Sequence, residues 1–343
     1  MAAFISSVLL TLKNVFHAAV AVIMLIPVLL TMGNAGNPDT PVIPNENATN
    51  SYINEYLDPD ISAHRSGAGI APQNTLMAFE NVLKNSDTLG VDTIEFDVQI
   101  TADGELILLH NLTYDDTSNA EEAFGKKFNF ASLITLEEAQ VLNLGENFKL
   151  NGEYPYRGLR GEDIPKNLRV VTCDEVIDYI EANCGDKEYR YIIEIKSIGI
   201  HGMKAADKLY SIVTERNLQD RVIWATFAPS VAAYMKTQHP DMPRSASVIE
   251  AIQFYFYFRM NWNLNDVSPK YVALQIPYGS SALDNLINLG TREMINYAHA
   301  NNIAVQYWTI NSEEEALTLI NNGADCIMTD YPDMVYGAVK SCK

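Results

Sequence analysis

The chain after residue 58 alternates between two patterns of apolar residues. Short apolar runs predict buried strands, and longer stretches with an apolar residue every three or four positions predict helices. The predicted strands cover residues 61–63, 93–99, 106–110, 191–195, 222–227, 245–249, 271–276, 304–308 and 326–328. The predicted helices cover residues 74–85, 173–183, 203–216, 230–238, 291–301 and 313–321. This order predicts a parallel α/β sheet, and a strand number near eight favours a TIM-type (β/α)8 barrel over a doubly wound sheet.

The first part of the chain has a different pattern. Residues 15–32 form an apolar run with one histidine and no fixed charge, close to the length that spans a bilayer. Lys13 is the only Lys or Arg before Arg65, so we expect the N-terminus to stay in the cytoplasm while the rest crosses the membrane. Small residues at 33–35 also fit the cleavage site of a signal peptide.

These features divide the chain into three parts. We expect residues 1–35 to be a transmembrane anchor or a signal peptide, residues 36–58 a linker rich in Asn, Pro and Gly, and residues 59–343 the folded barrel. The folded part would then lie on the extracytoplasmic side of the cell membrane, or be secreted if the first segment is cleaved.

Two carboxylates share one face of a predicted strand. Glu95 and Asp97 lie about 7 Å apart along residues 93–99, because side chains alternate faces along a strand. Ile94, Phe96 and Val98 predict that the other face is buried. Two buried carboxylates repel each other unless a cation neutralises them, and oxygen ligands suit Mg²⁺ or Ca²⁺. The alternative is a solvated strand face.

Histidine and arginine side chains follow two predicted strands. His64 and Arg65 come directly after residues 61–63 and before the loop 66–69, which contains two glycines. The turn 101–104 predicts a hairpin whose second strand ends at His110. These are cationic or hydrogen-bonding side chains at the ends of predicted strands, close in sequence to the two carboxylates.

The first of these stretches resembles a known family. HR-x-G-x-G-x-A-P-x-N-T, followed by E-x-D-V-x-x-T-x-D-G and a strand that ends in histidine, is similar to bacterial glycerophosphodiester phosphodiesterases, membrane-anchored or secreted. The resemblance covers most of residues 59–338. It implies a TIM-type barrel with one divalent cation, Mg²⁺ or Ca²⁺, that cleaves glycerophosphodiesters to glycerol 3-phosphate and an alcohol. By that resemblance Glu95 and Asp97 are metal ligands, His64 and His110 the acid–base pair, with His110 favoured as the acid, and Arg65 binds the phosphate.

Later strands extend the resemblance. Residues 194–196 match the family's E-x-K, which implies that Glu194 is a third metal ligand and Lys196 a phosphate contact; without the resemblance, a salt-bridged pair is the alternative. Trp308 opens a W-T-x-N segment and is expected to form an apolar wall of the substrate pocket, with core packing as the alternative. Asp330 lies in residues 323–332, which resemble the family's closing segment G-x-D-x-I-x-T-D-x-P, and we expect a structural role for it.

Residues 111–168 show no strong alternation and are rich in Asn, Gly, Glu and Lys. In the family, this position holds an insertion that covers part of the active site, so we expect a small insertion of the same kind. The sequence departs from the family pattern at Ser66, where glycine is usual, and at Gln73, where glutamate is usual. It also departs at Asn111, which replaces an aspartate, and at Asp116, which replaces an arginine.

The charge of the chain excludes some partners. A formal net charge of −19 argues against nucleic acid and against broad contact with anionic lipid. The family resemblance implies a small glycerophosphodiester as the substrate, and the N-terminal helix implies a membrane; no protein partner is implied. Two alternatives remain open: a lysophospholipase D-like phosphodiesterase acting on lysolipids, and a catalytically silent barrel that binds glycerophosphodiesters.

Overall fold

The computed structural model describes residues 36–37, 39–43, 48–279 and 287–343. The segment 1–35, predicted to be an anchor or a signal peptide, lies outside the described residues. Within the described ranges, no helix combines the length and the apolar character needed to cross a membrane.

A sheet whose strands are parallel except for the third forms the centre of the fold. Its strands are β1 (Asp60–Ala63), β2 (Thr93–Ile100), β3 (Leu106–Leu108), β4 (Arg190–Ile195), β5 (Val222–Ala225), β6 (Ala273–Pro277), β7 (Ala304–Trp308) and β8 (Cys326–Thr329). The order in the sheet is β5-β4-β2-β1-β8-β7-β6, and every pairing along this path is parallel. β3 pairs with β2 in the antiparallel direction, which confirms the hairpin predicted at residues 101–104.

Helices connect the strands. They are α1 (Leu76–Lys84), α2 (Ser86–Leu89), α3 (Ala120–Phe124), α4 (Leu136–Ala139), α5 (Cys173–Asn183), α6 (Gly199–Glu215), α7 (Pro229–Gln238), α8 (Val248–Arg259), α9 (Arg292–Ala300), α10 (Glu313–Asn322) and α11 (Pro332–Cys342). The alternation of strand and helix follows the prediction except at residues 245–249, and α8 and α11 are not among the predicted helices.

The two ends of the strand order are joined by a short segment, residues 243–246. Trp224 of β5 bridges to Arg244, and Ser245 bridges to Ala273 of β6, both in the parallel direction. The backbone N–H of Trp224 donates to Pro243 at 3.1 Å, and that of Ala246 donates to Ala273 at 2.8 Å. The sheet is therefore curled, consistent with the predicted TIM-type barrel.

The strand predicted at residues 245–249 is wrong. Only isolated bridges form at Arg244 and Ser245, and α8 begins at Val248. Ser247 and Glu250 form a capping box, in which each side chain accepts the backbone N–H of the other residue. The pattern Ser-x-x-Glu is typical of a helix start, whereas the adjacent β-branched Val248 and Ile249 favour a strand.

The same glutamate stabilises the segment that joins β5 to β6. Glu250 accepts hydrogen bonds from both terminal nitrogens of Arg244, at 2.8 and 2.9 Å, and from Lys236 at 2.9 Å. Burial alone would raise the pKa of Glu250, but the hydrogen bonds from Arg244, Lys236 and Ser247 lower it to about 2. Because the pKa is lower in the folded state, the stabilisation is present above about pH 4.5 and is lost as the pH falls towards 2.

We expect Glu250→Gln to lower the free energy of unfolding at pH 7 by about 3 kcal/mol, as a pKa lowered from 4.5 to about 2 implies. The difference from the wild type should shrink progressively below pH 4.5 in urea unfolding curves. The matched control is Glu138→Gln, since Glu138 belongs to an exposed capping box without an arginine partner. An equal loss in both variants, or a loss independent of pH, would contradict this assignment.

The two faces of the strands differ in character. On β2, Ile94, Phe96 and Val98 face the surrounding helices and belong to one buried apolar cluster, so Glu95 and Asp97 face the interior of the curled sheet. At the amino end of the strands the interior is apolar and is covered by Tyr52 from the segment predicted to be a linker. Tyr52 packs with Ile192, Ile223, Ala273, Ala304 and Met328.

Residues between β3 and α5 form a small unit with its own apolar cluster. Tyr114, Ala131, Ile134 and Leu142 are buried within it, together with Ile107 from β3. Among the described residues of this segment, the regular elements are the short helices α3 and α4 and several 3₁₀ turns. The unit begins directly after His110, which places it beside the carboxyl end of β2.

Candidate active site

Three carboxylates meet at the carboxyl ends of β2 and β4. Asp97 and Glu194 are direct neighbours in the parallel register of these strands, and Glu95 lies two residues before Asp97 on the same face. Their oxygen atoms lie within 4.8 Å of one another, close enough to hold one metal ion. Glu95 is 3% exposed and Asp97 is 1% exposed.

Burial and mutual repulsion set the charge state of this cluster. Burial, followed by the nearby charge of Asp97, raises the pKa of Glu95 well above its usual range, despite the hydrogen bond from the Arg65 backbone N–H at 2.6 Å. Burial also raises the pKa of Glu194. For Asp97 burial acts in the same direction, but the charges of Lys196, His110 and Arg65 outweigh it and lower the pKa.

Two basic side chains approach the carboxylates. Lys196 Nζ lies 2.7 Å from Glu194 Oε1 and 3.3 Å from Asp97 Oδ1. Arg65 Nε lies 3.6 Å from Asp97 Oδ2, and Arg65 Nη1 donates to Gln73 Oε1 at 2.7 Å. Burial lowers the pKa of Lys196, but the charges of Asp97 and Glu194 together raise it by more, so the pKa is higher than usual.

The donor set fits a hard divalent cation. Three carboxylates face two cationic side chains, which leaves a formal excess of one negative charge when all are ionised. The pKa of Glu95 stays raised, first by burial and then by the charge of Asp97, although the Arg65 backbone N–H and the charge of Lys196 act to lower it. Carboxylate oxygens are the ligands that Mg²⁺ and Ca²⁺ prefer, and a cation in their midst would stabilise the ionised forms.

Asn74 positions Asp97 and was not predicted as a site residue. Its amide Nδ2 donates to Asp97 Oδ2 at 2.9 Å, and its Oδ1 accepts from the Asp97 backbone N–H at 3.1 Å. Thr75 is the N-cap of α1, because its side chain accepts from the Ala78 N–H. Asn74 is thereby free to orient a carboxylate.

The turn after β1 has an unusual backbone. Arg65 and Ser66 have φ angles of 48° and 61°, in the left-handed region that glycine adopts most easily. The Arg65 backbone N–H reaches Glu95 from this turn. Ser66 is fully buried in this turn. Because its φ angle is positive, the glycine that is usual at this position in the family would adopt the same backbone conformation without strain.

His64 is held by a carboxylate. Its Nδ1 lies 2.7 Å from Asp330 Oδ1, and Asp330 Oδ2 accepts from Asn311 Nδ2 at 2.7 Å. Burial raises the pKa of Asp330, but its hydrogen bond and ion pair with His64 outweigh this effect and the net shift is downward. Asp330, for which the sequence predicts a structural role, therefore lies in the site and orients His64.

His110 has a different environment. The Leu109 backbone N–H donates to the Asp97 carbonyl at 3.1 Å, which brings the end of the β3 segment beside the carboxylates. The Nδ1 of His110 bonds to the Asn111 side chain, whose Nδ2 in turn donates to Asp116. Burial lowers the pKa of His110 by more than the charge of Asp97 raises it.

Trp308 stands at the end of β7 beside the charged groups. Its ring meets that of Phe227 edge to face, with centroids 5.7 Å apart and an interplanar angle of 78°. Phe227 also lies near Lys196, whose Nζ is 5.7 Å from the ring centroid. Trp308 is partly exposed and also packs against the apolar cluster that contains Tyr52, so its role as a pocket wall stays a prediction.

The match to a family model decides the assignment. Residues 64–334 match the glycerophosphoryl diester phosphodiesterase family, and this range contains the site residues from His64 to Asp330. The chain belongs to the glycerophosphoryl diester phosphodiesterase family.

Proteins named glycerophosphodiester phosphodiesterases are similar in sequence to most of the folded part of this chain. That of Caldanaerobacter subterraneus subsp. tengcongensis is 30% identical over 282 residues, which cover 82% of this chain and 97% of the relative. That of Bacillus subtilis is 24% identical over 292 residues, which cover 83% and 88%.

Solved structures of phosphodiesterases share the fold. An Oleispira antarctica phosphodiesterase in complex with the product sn-glycerol-3-phosphate aligns with a TM-score of 0.60 at 20% identity, covering 82% of this chain and 97% of that one. A glycerophosphodiester phosphodiesterase from Agrobacterium tumefaciens aligns with a TM-score of 0.59 at 17% identity, covering 81% and 99%.

The structure of this phosphodiesterase brings the sequence-predicted residues to one end of the curled sheet. They are His64, Arg65, Glu95, Asp97, His110, Glu194, Lys196 and Trp308. Their catalytic roles stay predictions. Asn74 and Asn311 also hold these residues in place and were not predicted from the sequence. Asn111, Asp116 and Asp330, which the sequence singled out without a role in the site, have the same positioning function.

Proposed function

We propose that this family member hydrolyses glycerophosphodiesters to glycerol 3-phosphate and an alcohol, and that a divalent cation held by Glu95, Asp97 and Glu194 is required. The observation that carries the proposal is the meeting of three carboxylates, two of them buried, with two histidines, an arginine and a lysine at the ends of parallel strands. The reaction itself follows from membership of the family and from the named relatives.

The cation would act as a Lewis acid toward a phosphoryl oxygen, with Glu95, Asp97 and Glu194 as its protein ligands. Arg65 and Lys196 would neutralise the remaining negative charge of the diester, since both already approach Asp97 and lie at the same end of the sheet. The departure at position 73 supports this role for Arg65, because neutral Gln73 holds the guanidinium without cancelling its charge.

The two histidines are not equivalent. A carboxylate, Asp330, contacts Nδ1 of His64, whereas the side-chain partner of His110 is a neutral amide. The lowered pKa of His110 keeps that ring neutral at pH 7 and able to accept a proton. We therefore assign His110 as the base toward the attacking oxygen and His64 as the acid toward the leaving alkoxide, the reverse of the sequence-based preference.

Product analysis with the full-length protein tests the proposed reaction. Incubation with glycerophosphocholine should release glycerol 3-phosphate and choline in equal amounts. Release of phosphocholine and glycerol would contradict it, because a different P–O bond would have been cleaved. A folded protein that leaves the diester intact with Mg²⁺ and with Ca²⁺ would contradict it as well.

We also propose that residues 1–35 direct the enzyme across the cytoplasmic membrane, as an uncleaved anchor or a signal peptide. The apolar run 15–32 and the single preceding Lys13 support this proposal. Protease added to intact cells should then digest the folded part, or the protein should be found in the medium. A protein that stays protected inside cells would contradict export.

A further inference from the structure

A chain of side-chain hydrogen bonds runs from His110 into the insertion that follows it. The Nδ1 atom of His110 bonds to Asn111 Oδ1, and Asn111 Nδ2 donates to a carboxylate oxygen of Asp116. Asn111 is half-buried and Asp116 is exposed, so this chain leads from the site to the surface. We call His110, Asn111 and Asp116 together the relay.

The chemistry of the relay fixes the orientation of the Asn111 amide. An ionised carboxylate only accepts hydrogen bonds, so the NH2 group of Asn111 must face Asp116. The carbonyl oxygen of the same amide then faces His110, and this oxygen also only accepts. The Nδ1 atom of His110 must therefore be the donor, which requires that Nδ1 carries the proton of the neutral ring.

The place of His110 beside the carboxylates gives this proton arrangement a consequence for the reaction. The Leu109 backbone N–H donates to the Asp97 carbonyl at 3.1 Å, which holds the neighbouring histidine at the proposed cation site. Nδ1 is occupied by Asn111, so Nε2 is the ring nitrogen left for the attacking oxygen. A base needs an unshared electron pair, and the relay keeps that pair on Nε2.

Backbone contacts hold both ends of the relay in place. Gln99, which is 2% exposed, donates through Nε2 to the Asn111 carbonyl, and its Oε1 accepts from Ser197 Oγ at 3.4 Å. At the other end, Asn147 Nδ2 donates to the Asp116 carbonyl at 2.9 Å. The insertion therefore presents the Asp116 carboxylate from a backbone that is fixed by a second segment of the same insertion.

Two departures from the family pattern together form the relay. An aspartate is usual at position 111 and an arginine at position 116, whereas this chain has an amide and a carboxylate there. An aspartate at position 111 would place a full negative charge against Nδ1 and stabilise the protonated ring. The Asn111 amide holds the proton on Nδ1 without a formal charge beside the ring, and Asp116 supplies the acceptor that orients the amide.

We propose that Asp116 is a positioning residue, which acts through Asn111 to keep His110 in the tautomer with Nδ1 protonated and Nε2 able to take the proton of the attacking oxygen. This inference rests on the proposed function, in which His110 is the base. Asp116 is separated from the ring by two hydrogen bonds, so its effect on the reaction passes entirely through the orientation of the Asn111 amide.

Replacing the acceptor by a donor tests the relay. In Asp116→Arg the guanidinium only donates, so the Asn111 carbonyl should turn towards it and the NH2 group towards His110. Nδ1 must then accept and the proton moves to Nε2, so kcat for glycerophosphocholine should fall about 10²-fold, with KM changed less than about twofold. Long-range ¹H–¹⁵N NMR spectra of the full-length, ¹⁵N-histidine-labelled protein at a pH of about 8, where histidine is neutral, distinguish the tautomers. Comparison with His110→Ala identifies the signals of His110.

Two further variants separate this role from a structural one. Adding Asn111→Asp to Asp116→Arg returns an acceptor to Nδ1, so the original tautomer should reappear and kcat should rise at least about tenfold above that of the single variant. The matched control is Asp115→Asn, because Asp115 lies in the same loop but accepts from the backbone N–H groups of Phe128 and Asn129. This variant removes a charge beside the relay without changing the partner of Asn111, and it should leave the tautomer and kcat unchanged.

The tautomer is measured without turnover, which separates this inference from the proposed function. A proton on Nε2 of His110 in the wild type, or an unchanged tautomer in Asp116→Arg, would overturn the relay. A reversed tautomer with unchanged kcat, or an equal loss of kcat in Asp115→Asn, would overturn the positioning role of Asp116. No hydrolysis of glycerophosphocholine by the wild type would overturn the proposed function itself, while the NMR result would still decide whether Asp116 sets the tautomer.

Discussion

Replacing Asp97 by asparagine is expected to lower kcat/KM for glycerophosphocholine by about 10³-fold or more. Asp97 is 1% exposed and contacts Lys196, Arg65 and Asn74, and its oxygens lie beside those of Glu95 and Glu194. An amide at this position removes one negative charge from the proposed cation site. A loss of about 4 kcal/mol of transition-state stabilisation, the order that a metal ion supplies, corresponds to about 10³ in rate.

The same substitution should abolish binding of the cation, and this can be measured without turnover. Titration calorimetry should show one divalent cation bound by the wild type and none by Asp97→Asn, Glu95→Gln or Glu194→Gln. The cation at 100 times its Kd should stabilise the wild type by about 2.7 kcal/mol and leave these variants unaffected.

A matched control lies just before the same strand. Asp92 directly precedes β2 at its amino end, where it accepts the Ile61 backbone N–H and pairs with Lys187 at 3.3 Å. Asp92→Asn should keep cation binding and activity within about twofold. Loss of activity in Asp92→Asn equal to that in Asp97→Asn would point to a general structural effect, and retained cation binding by all three ligand variants would contradict the assigned site.

Removing either histidine is expected to lower kcat by about 10²- to 10⁴-fold, the range that a positioned acid or base contributes. His64→Ala leaves Asp330 without its ring partner, and His110→Ala removes the ring beside Asp97. Asp330→Asn should give an intermediate loss, since the histidine remains but its Nδ1 partner loses its charge. Circular dichroism should show the native fold in each variant.

His239 provides the control for an aspartate-paired histidine outside the site. Its Nε2 lies 2.7 Å from Asp207, the same distance as His64 from Asp330, but it follows α7 at the far end of that helix. His239→Ala should keep kcat near that of the wild type. Retained activity in His64→Ala or His110→Ala would remove that residue from the proposed acid–base pair.

Local pattern predicted most of the fold. The alternation of short apolar runs with helical spacing predicted the order of strands and helices, and the turn at residues 101–104 predicted the hairpin. The exception was the segment 245–249, where Val248 and Ile249 suggested a strand. The Ser247–Glu250 capping box and the Arg244 ion pair start a helix there instead.

The site was predictable only in part, because its chemistry depends on contacts between distant residues. Glu95 and Asp97 were visible from alternation alone, whereas the roles of Glu194 and Lys196 came from the family resemblance. No local pattern shows that Asn74 holds Asp97 or that Asp330 holds His64, since these partners are 23 and 266 residues apart in the chain. The register of β2 with β4, which pairs Asp97 with Glu194, likewise arises only in the folded sheet.

The most direct test of a cation-dependent phosphodiesterase is the release of glycerol 3-phosphate from glycerophosphocholine by the full-length protein, before and after metal removal. Treatment with EDTA should stop the release, and returning Mg²⁺ or Ca²⁺ should restore it. Undiminished release from protein shown to be free of metal would contradict the role assigned to Glu95, Asp97 and Glu194.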